Sequence, residues 1–261
     1  MKARWLFIPV FVTLILIPGS NSFSREEPEP QIFLLMRDDV KVGQEEAYIA
    51  AAKEINEMFK QGNWPYASLA FRYLSSFYYA MPIEGFAALD KGMEAFQKVE
   101  QAVGSEKFKA LMTQNAENIL SSSTMIIVSH PELSYMPDEA VFEFDIMKSF
   151  NVYVVTYYFK PEAGFEIPGI FKEALALHKS KKSRLDYFVY EVLFGPDTPA
   201  YMVAIQTQDL PQFLEENPKD MALLGPEYAA FLKKNAPLVR RIEEMMHVEF
   251  LPDLGYFPEG K

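Results

Sequence analysis

The residues best suited to chemistry in this sequence are few, and its three histidines come first. His247 stands two residues before Glu249 in the stretch MMHVEF, and alternate residues of a strand share one face. An imidazole beside a carboxylate can transfer protons or hold a metal, so this pair is the candidate catalytic site. A polar contact at a partly exposed strand edge is the competing interpretation.

The other two histidines are interpreted as structural. His130 precedes Pro131 at the exit of an apolar stretch, a turn position. His178 lies near the end of a helical stretch rich in lysine, where positive charge complements the helix dipole.

Two charged residues interrupt otherwise apolar stretches: Arg72 in AFRYL and Glu191 in VYEVL. A buried charge is costly unless it is paired, so they predict either a cavity wall or an Arg72–Glu191 ion pair. Arg37, Thr156 and Tyr158 share one face of two other strands and complete a candidate ligand-binding set. Strand ends that reach solvent would explain the same pattern.

Aromatic residues are abundant, with 22 Phe and 14 Tyr, and they supply much of the area needed for a core. Five strand tyrosines could recognise an aromatic ligand, although core packing is the default expectation for this residue type. Trp64 precedes Pro65 and is expected to anchor a loop. The five tyrosines are Tyr73, Tyr78, Tyr79, Tyr157 and Tyr190.

Composition excludes several kinds of chemistry. The chain has no cysteine, which removes thiol nucleophiles, thiolate zinc sites and iron–sulfur clusters. It has no Gly-rich phosphate loop, no HExxH and no GxSxG motif, so neither a metal nor a cofactor is predicted.

The first residues have the pattern of an export signal. Lys2 and Arg4 precede an uncharged apolar run at residues 5–17, which Pro18 and Gly19 end. We therefore predict a signal peptide at residues 1–22, a flexible leader at 23–31 and a periplasmic or secreted protein. An uncleaved N-terminal anchor is the alternative.

Charge argues against nucleic acid and membrane partners. Removal of Lys2 and Arg4 with the signal lowers 25 basic residues to 23, against 36 acidic residues, for a net charge of −13. Such a surface repels phosphate backbones and anionic lipid.

The rest of the chain is predicted to contain two copies of one β-α-β-β-α-β unit, repeat 1 at residues 32–140 and repeat 2 at 150–257. A linker at 141–149 and a tail at 258–261 complete the division. The closing strands are expected at residues 125–128 and 246–250, each after a helical region that reaches about 121 and 244. Identical residues recur at an offset of 121: Gly104/Gly225, Glu106/Glu227, Leu111/Leu232, Met125/Met246, Pro131/Pro252, Leu133/Leu254 and Tyr135/Tyr256.

The strands of both units are apolar on both faces, whereas a strand with one face in water alternates. We therefore expect an α+β fold in which two ferredoxin-like units pack sheet to sheet. This arrangement resembles the dimeric α/β-barrel superfamily, over about residues 32–256. The resemblance implies a barrel, and its members include cofactor-free monooxygenases and haem proteins of the chlorite-dismutase type.

Three functions remain open from the sequence. The first is a non-catalytic module that binds a small apolar or aromatic ligand, or a protein partner. The second is a cofactor-free monooxygenase or haem-type oxidoreductase with His247 as base or axial ligand. The third is a purely structural duplicated scaffold. Either a monomer or a homodimer is compatible with each.

Overall fold

Both halves of the chain fold in the order β-α-β-β-α-β. The computed structural model describes residues 29–142 and 150–258. Repeat 1 contains β1 (Ile32–Val40), α1 (Glu45–Gln61), β2 (Leu69–Tyr73), β3 (Ser76–Ile83), α2 (Ala87–Val103), α3 (Ser105–Glu117) and β4 (Ile119–Ser129). Repeat 2 contains β5 (Asn151–Phe159), α4 (Ile167–Lys181), β6 (Phe188–Phe194), β7 (Ala200–Thr207), α5 (Leu210–Asn235) and β8 (Val239–Phe250).

The second helical region of each repeat is broken by a glycine at the same place. Gly104 separates α2 from α3 with φ 89°, and Gly225 interrupts α5 with φ 68°. Only glycine adopts such angles without strain, which explains why both repeats carry it there. Pro226 follows the second break and cannot donate a helical hydrogen bond.

The closing strands β4 and β8 begin earlier than the sequence pattern predicts. Their first halves are polar and exposed, a pattern that does not indicate a buried strand. Strand pairing determines where β4 and β8 begin, because Ile119 already pairs with Val40 and Val239 with Phe159. The predicted helical regions therefore end at Glu117 and Leu238 rather than near 121 and 244.

The eight strands close into one antiparallel barrel in the order β1-β3-β2-β8-β5-β7-β6-β4. Each repeat contributes four neighbouring strands, and the pairs β2–β8 and β4–β6 join the two repeats. The expected sheet-to-sheet packing is thus realised by closure. A closed barrel leaves no strand edge among the described residues for pairing with another chain.

The short segment after each closing strand packs on the opposite repeat. Tyr135 forms a β-bridge with Tyr187 of repeat 2, and Tyr256 forms one with Ser68 of repeat 1. Leu133 is buried in the helix–sheet core of repeat 2 and Leu254 in that of repeat 1. The repeats therefore exchange their ends.

The barrel interior is apolar. Phe33, Leu35, Ile127 and Val192 are buried in one interior cluster, and a second cluster is centred on Phe250 and its neighbours. The helices cover the outer faces of both sheets, so each repeat has a second, helix–sheet core.

The whole predicted signal and parts of the predicted leader, linker and tail lie outside the described residues. Among the residues that the structure describes, no helix combines the length and the apolar character of a membrane span. The export signal and the domain limits stay predictions.

Candidate functional site

A cavity of about 600 Å³ lies between the outer face of the repeat-2 sheet and the helices α4 and α5. Its walls come from β5, β7, both helices and the start of β8. Most of the lining is apolar and much of it aromatic. The rings and aliphatic chains include Tyr157, Phe171, Tyr187, Val203, Tyr228 and Phe231.

Four buried polar atoms of this cavity lack a hydrogen-bond partner within the described part of the chain: His178 Nδ1, Asp186 Oδ1, Tyr187 Oη and Asp220 Oδ2. His178, Tyr187 and Asp220 are only 6–7% exposed. An unsatisfied buried group costs about 1–3 kcal/mol, so four in one place are a large departure from ordinary packing.

The cavity keeps its histidine uncharged. Burial lowers the pKa of His178, with the nearby Asp220 carboxyl opposing the shift, so the imidazole is neutral at neutral pH. Its position is set by the end of α4, where the Ser183 N–H donates to the His178 carbonyl at 3.1 Å. The sequence interpretation of His178 as a charged, dipole-stabilising residue is therefore wrong.

Burial also changes the acidic groups of the cavity. It raises the pKa of Asp186 to about 6. It raises the pKa of Tyr187, and neighbouring tyrosine hydroxyls add to that shift. The tyrosines of the cavity consequently keep their protons at neutral pH.

Repeat 1 provides an internal comparison for each residue of this cavity. The Trp64 N–H donates to the Phe59 carbonyl at 2.9 Å, just as Ser183 donates to His178. The Tyr256 hydroxyl donates to the Trp64 carbonyl at 3.0 Å, and the Tyr135 hydroxyl to the Ser183 carbonyl at 2.7 Å. His178 is therefore the counterpart of Phe59, and Ser183 the counterpart of Trp64.

The glycine breaks extend the comparison to the second helical region. Val99 lies five residues before Gly104, and Asp220 lies five residues before Gly225. Val99 is fully buried in the apolar core of repeat 1. Repeat 2 therefore has the buried carboxyl group of Asp220 where repeat 1 has the buried isopropyl group of Val99.

The space that is a cavity in repeat 2 is filled by an aromatic cluster in repeat 1. Trp64 stacks on Phe59 with ring centroids 5.0 Å apart and meets Tyr66 and Phe96 edge-on at 5.3 and 6.1 Å. The counterparts of these three neighbours are His178, Leu185 and Asn217, and all three line the cavity. Three residues that line the cavity are therefore the counterparts of the residues that surround the Trp64 indole in repeat 1.

A second concavity of about 600 Å³ lies on the surface between α1, α3 and the tail of repeat 2. Lys53, Glu57, Lys60 and Lys107 contribute to its walls. None of the described buried polar atoms that lack a partner lies there. It has the character of a solvated groove.

The predicted catalytic pair is not assembled as a dyad. His247 is exposed at an irregularity in the pairing of β8 with β5. Glu249 instead accepts a hydrogen bond from Arg72 at 2.6 Å, across the β2–β8 seam. Among described residues no ion pair joins His247 to Glu249.

The predicted Arg72–Glu191 pair does not form. Their strands β2 and β6 lie on opposite sides of the barrel, and both side chains are on its outer face. Glu191 instead lies 3.0 Å from Nε2 of His130. The bridge of Tyr187 to Tyr135 makes Glu191 the counterpart of Arg72 rather than of Ala70, because repeat 2 is two residues shorter before this strand.

Arg37, Thr156 and Tyr158 lie on the inner face of the barrel, as their shared face predicts. Arg37 donates to Asp39 at 2.7 Å, and the Tyr158 hydroxyl donates to a carboxylate at 2.7 Å. The polar ends of Arg37 and Tyr158 are thus engaged near one mouth of the barrel. A ligand-binding role for the three residues stays a prediction.

Comparison with solved structures identifies the architecture. A protein from Lactobacillus acidophilus, whose name gives a monooxygenase as its expected activity, matches with a TM-score of 0.50 and 9% identity, over 88% of this chain and 97% of that one. An anthrone oxidase-like protein matches with a TM-score of 0.51 and 11% identity, over 84% and 90%. A chlorite dismutase variant from Candidatus Nitrospira defluvii matches with a TM-score of 0.51 and 10% identity, over 85% and 92%.

The chain has the dimeric α/β-barrel fold. At these identities the likeness extends to the fold alone. No protein-family model matches the sequence, and no curated protein matches it either.

The fit of haem, which the resemblance to this fold implies as a possible cofactor, is mixed in the repeat-2 cavity. His178 lines the cavity with a ring nitrogen that lacks a partner, whereas the carboxyl groups of Asp186 and Asp220 would repel the two propionate groups of haem. The exposed His247 is not enclosed by a pocket that could hold a macrocycle. Within the described ranges, no group of three or more His, Asp or Glu side chains could hold a metal ion.

Proposed function

We propose that this protein binds a small, largely aromatic molecule in the repeat-2 cavity. One observation carries the proposal: the cavity replaces the aromatic cluster of repeat 1 and presents unpartnered polar atoms among aromatic walls. Apolar walls with a few convergent polar groups are the usual composition of ligand pockets. In repeat 1 the equivalent space is filled by the rings around Trp64.

Filling the cavity tests the proposal. Ser183→Trp restores the residue type of repeat 1 and should abolish binding of a neutral aromatic probe such as 2-naphthalenemethanol, followed by calorimetric titration. Ser183 is fully buried, so circular dichroism should first show that the variant folds, since a larger side chain in a packed core costs about 1–3 kcal/mol.

Ser180→Trp is the matched control, since Ser180 lies three residues before Ser183, at the end of α4, and is exposed rather than buried. It should leave probe binding unchanged. A wild-type protein that binds no aromatic probe, or a Ser183→Trp variant that binds as well as wild type, would contradict the proposal.

A second candidate function is oxidation of the bound aromatic molecule. The specific observation in its favour is the neutral imidazole of His178, which can accept a proton from a phenol or an activated C–H group. Oxygen uptake with anthrone as probe measures this activity, and His178→Gln should lower it by about 10²–10⁴-fold. Uptake no faster than in buffer would reject oxidation and leave binding intact.

A further inference from the structure

The polar atoms of the repeat-2 cavity that lack a partner can all accept hydrogen bonds. Asp186 and Asp220 each place a carboxyl oxygen without a partner at this site. The remaining unpartnered atoms belong to the neutral imidazole of His178 and the hydroxyl of Tyr187, which can also accept hydrogen bonds. All four unpartnered atoms can therefore accept a hydrogen bond, and the two carboxyl oxygens, when ionised, can only accept one.

The two arginines at the rim do not balance these carboxyl groups. Arg240 donates to the Phe159 carbonyl at 3.0 Å and pairs with Asp197 at 3.4 Å. Arg241 pairs with Asp197 at 3.0 Å and lies 3.8 Å from the centre of the Tyr158 ring. Both residues line the cavity, and both guanidinium groups are already paired with other groups of the protein.

Three classes of aromatic ligand meet this cavity differently. A carboxylic acid would bring a negative charge beside Asp186 and Asp220 and would be repelled. A neutral alcohol supplies a single donor. A protonated amine supplies up to three donors and a positive charge, which carboxylates and the faces of aromatic rings both stabilise.

We propose that the repeat-2 cavity selects an aromatic amine in its protonated form. The ammonium group hydrogen-bonds Asp186 and Asp220, and the aromatic body packs among Tyr157, Phe171 and Tyr228. This assignment rests on the proposed binding function and specifies its ligand class. It also explains why two carboxyl groups are retained in the helix–sheet core of repeat 2, where burial without a partner destabilises the folded state.

Three naphthalene probes of matched shape test the assignment: 2-naphthylmethylamine, 2-naphthalenemethanol and 2-naphthoic acid, each titrated calorimetrically at pH 7.5. The amine should bind at least tenfold more tightly than the alcohol, and the acid more weakly than either. In Asp220→Asn and Asp186→Asn the amine's advantage over the alcohol should fall at least threefold. Asp90→Asn, at an exposed position of repeat 1, should keep it.

The outcomes distinguish the amine assignment from the binding function on which it rests. An alcohol that binds as tightly as the amine, with binding blocked by Ser183→Trp, would overturn the amine assignment and leave the binding function standing. Absence of binding by all three probes would remove both. The wild-type preference alone decides the charge question, even where an Asn variant fails to fold.

Discussion

His178 and Asp220 stand where repeat 1 has Phe59 and Val99, and each exchange replaces an apolar side chain by a polar one at a buried position. Such exchanges destabilise a core unless the groups gain partners. Proteins commonly accept this loss of stability at sites that bind or react. The residue scale is therefore where the two repeats differ in the chemistry of their cores.

Asp186 gives a pH-dependent prediction at this scale. Burial raises its pKa to about 6 from an ordinary value of 3.8, so the native state keeps this proton over a range in which the unfolded chain has lost it. Its contribution to stability is complete below pH 4 and is lost as the pH rises through 6. Asp186→Asn should thus stabilise the protein at pH 7.5 by at most about 3 kcal/mol.

The measurement is urea unfolding of wild type and variant at pH 4 and pH 7.5. The gain in the free energy of unfolding should appear at pH 7.5 and be small at pH 4. Asp90→Asn, exposed to solvent, should show no comparable dependence. An equal gain at both pH values would contradict the assignment of a raised pKa to Asp186.

At the scale of elements, the glycine break in α5 holds Asp220 and Tyr228 on either side of one bend over the cavity. Gly225 has φ 68° and ψ −156°, a combination that essentially only glycine adopts. The added Cβ of alanine would meet only a flexible carboxylate at 3.2 Å, so strain rather than crowding is the obstacle.

Gly225→Ala should therefore lower the free energy of unfolding by about 1–3 kcal/mol and weaken probe binding. Gly169→Ala in α4 is the control, because Gly169 has open space around its Cα and ordinary helical angles. That change should stabilise by about 0.5–1 kcal/mol. Equal effects of the two substitutions on chemically induced unfolding would show that the break is not strained.

At the scale of the whole molecule, the two repeats share one barrel and exchange their terminal segments. Leu133 and Tyr135 complete the core of repeat 2, while Leu254 and Tyr256 complete that of repeat 1. Neither repeat can unfold without exposing buried surface of the other. We expect a single cooperative transition.

Trp64 provides the test, since the other tryptophan, Trp5, falls within the predicted signal peptide. In the chain that lacks residues 1–22, Trp64 fluorescence reports on repeat 1 and far-ultraviolet circular dichroism reports on both repeats. The two unfolding curves in urea should coincide. Separate midpoints would mean that the repeats are independent domains.

Sequence pattern alone determined the element order, the duplication and the sheet-to-sheet packing, whereas the barrel was expected from the resemblance to a known superfamily. These features depend on local periodicity and on apolar strand faces that must be covered, and both signals can be recognised in the local sequence. Strands apolar on both faces predicted sheets covered on both sides. The same pattern misplaced the starts of β4 and β8, because their polar first halves are held as strands by pairing with distant neighbours.

Only the tertiary structure decided where the cavity lies and which charges meet. Arg72, Glu191 and His247 stood out because they interrupt apolar stretches, yet strand order places the first two on opposite sides of the barrel. His178 and Asp220 gave no such signal, since polar residues are common on helices. Their burial follows from packing of α4 and α5 over the sheet, a long-range arrangement that short-range periodicity does not encode.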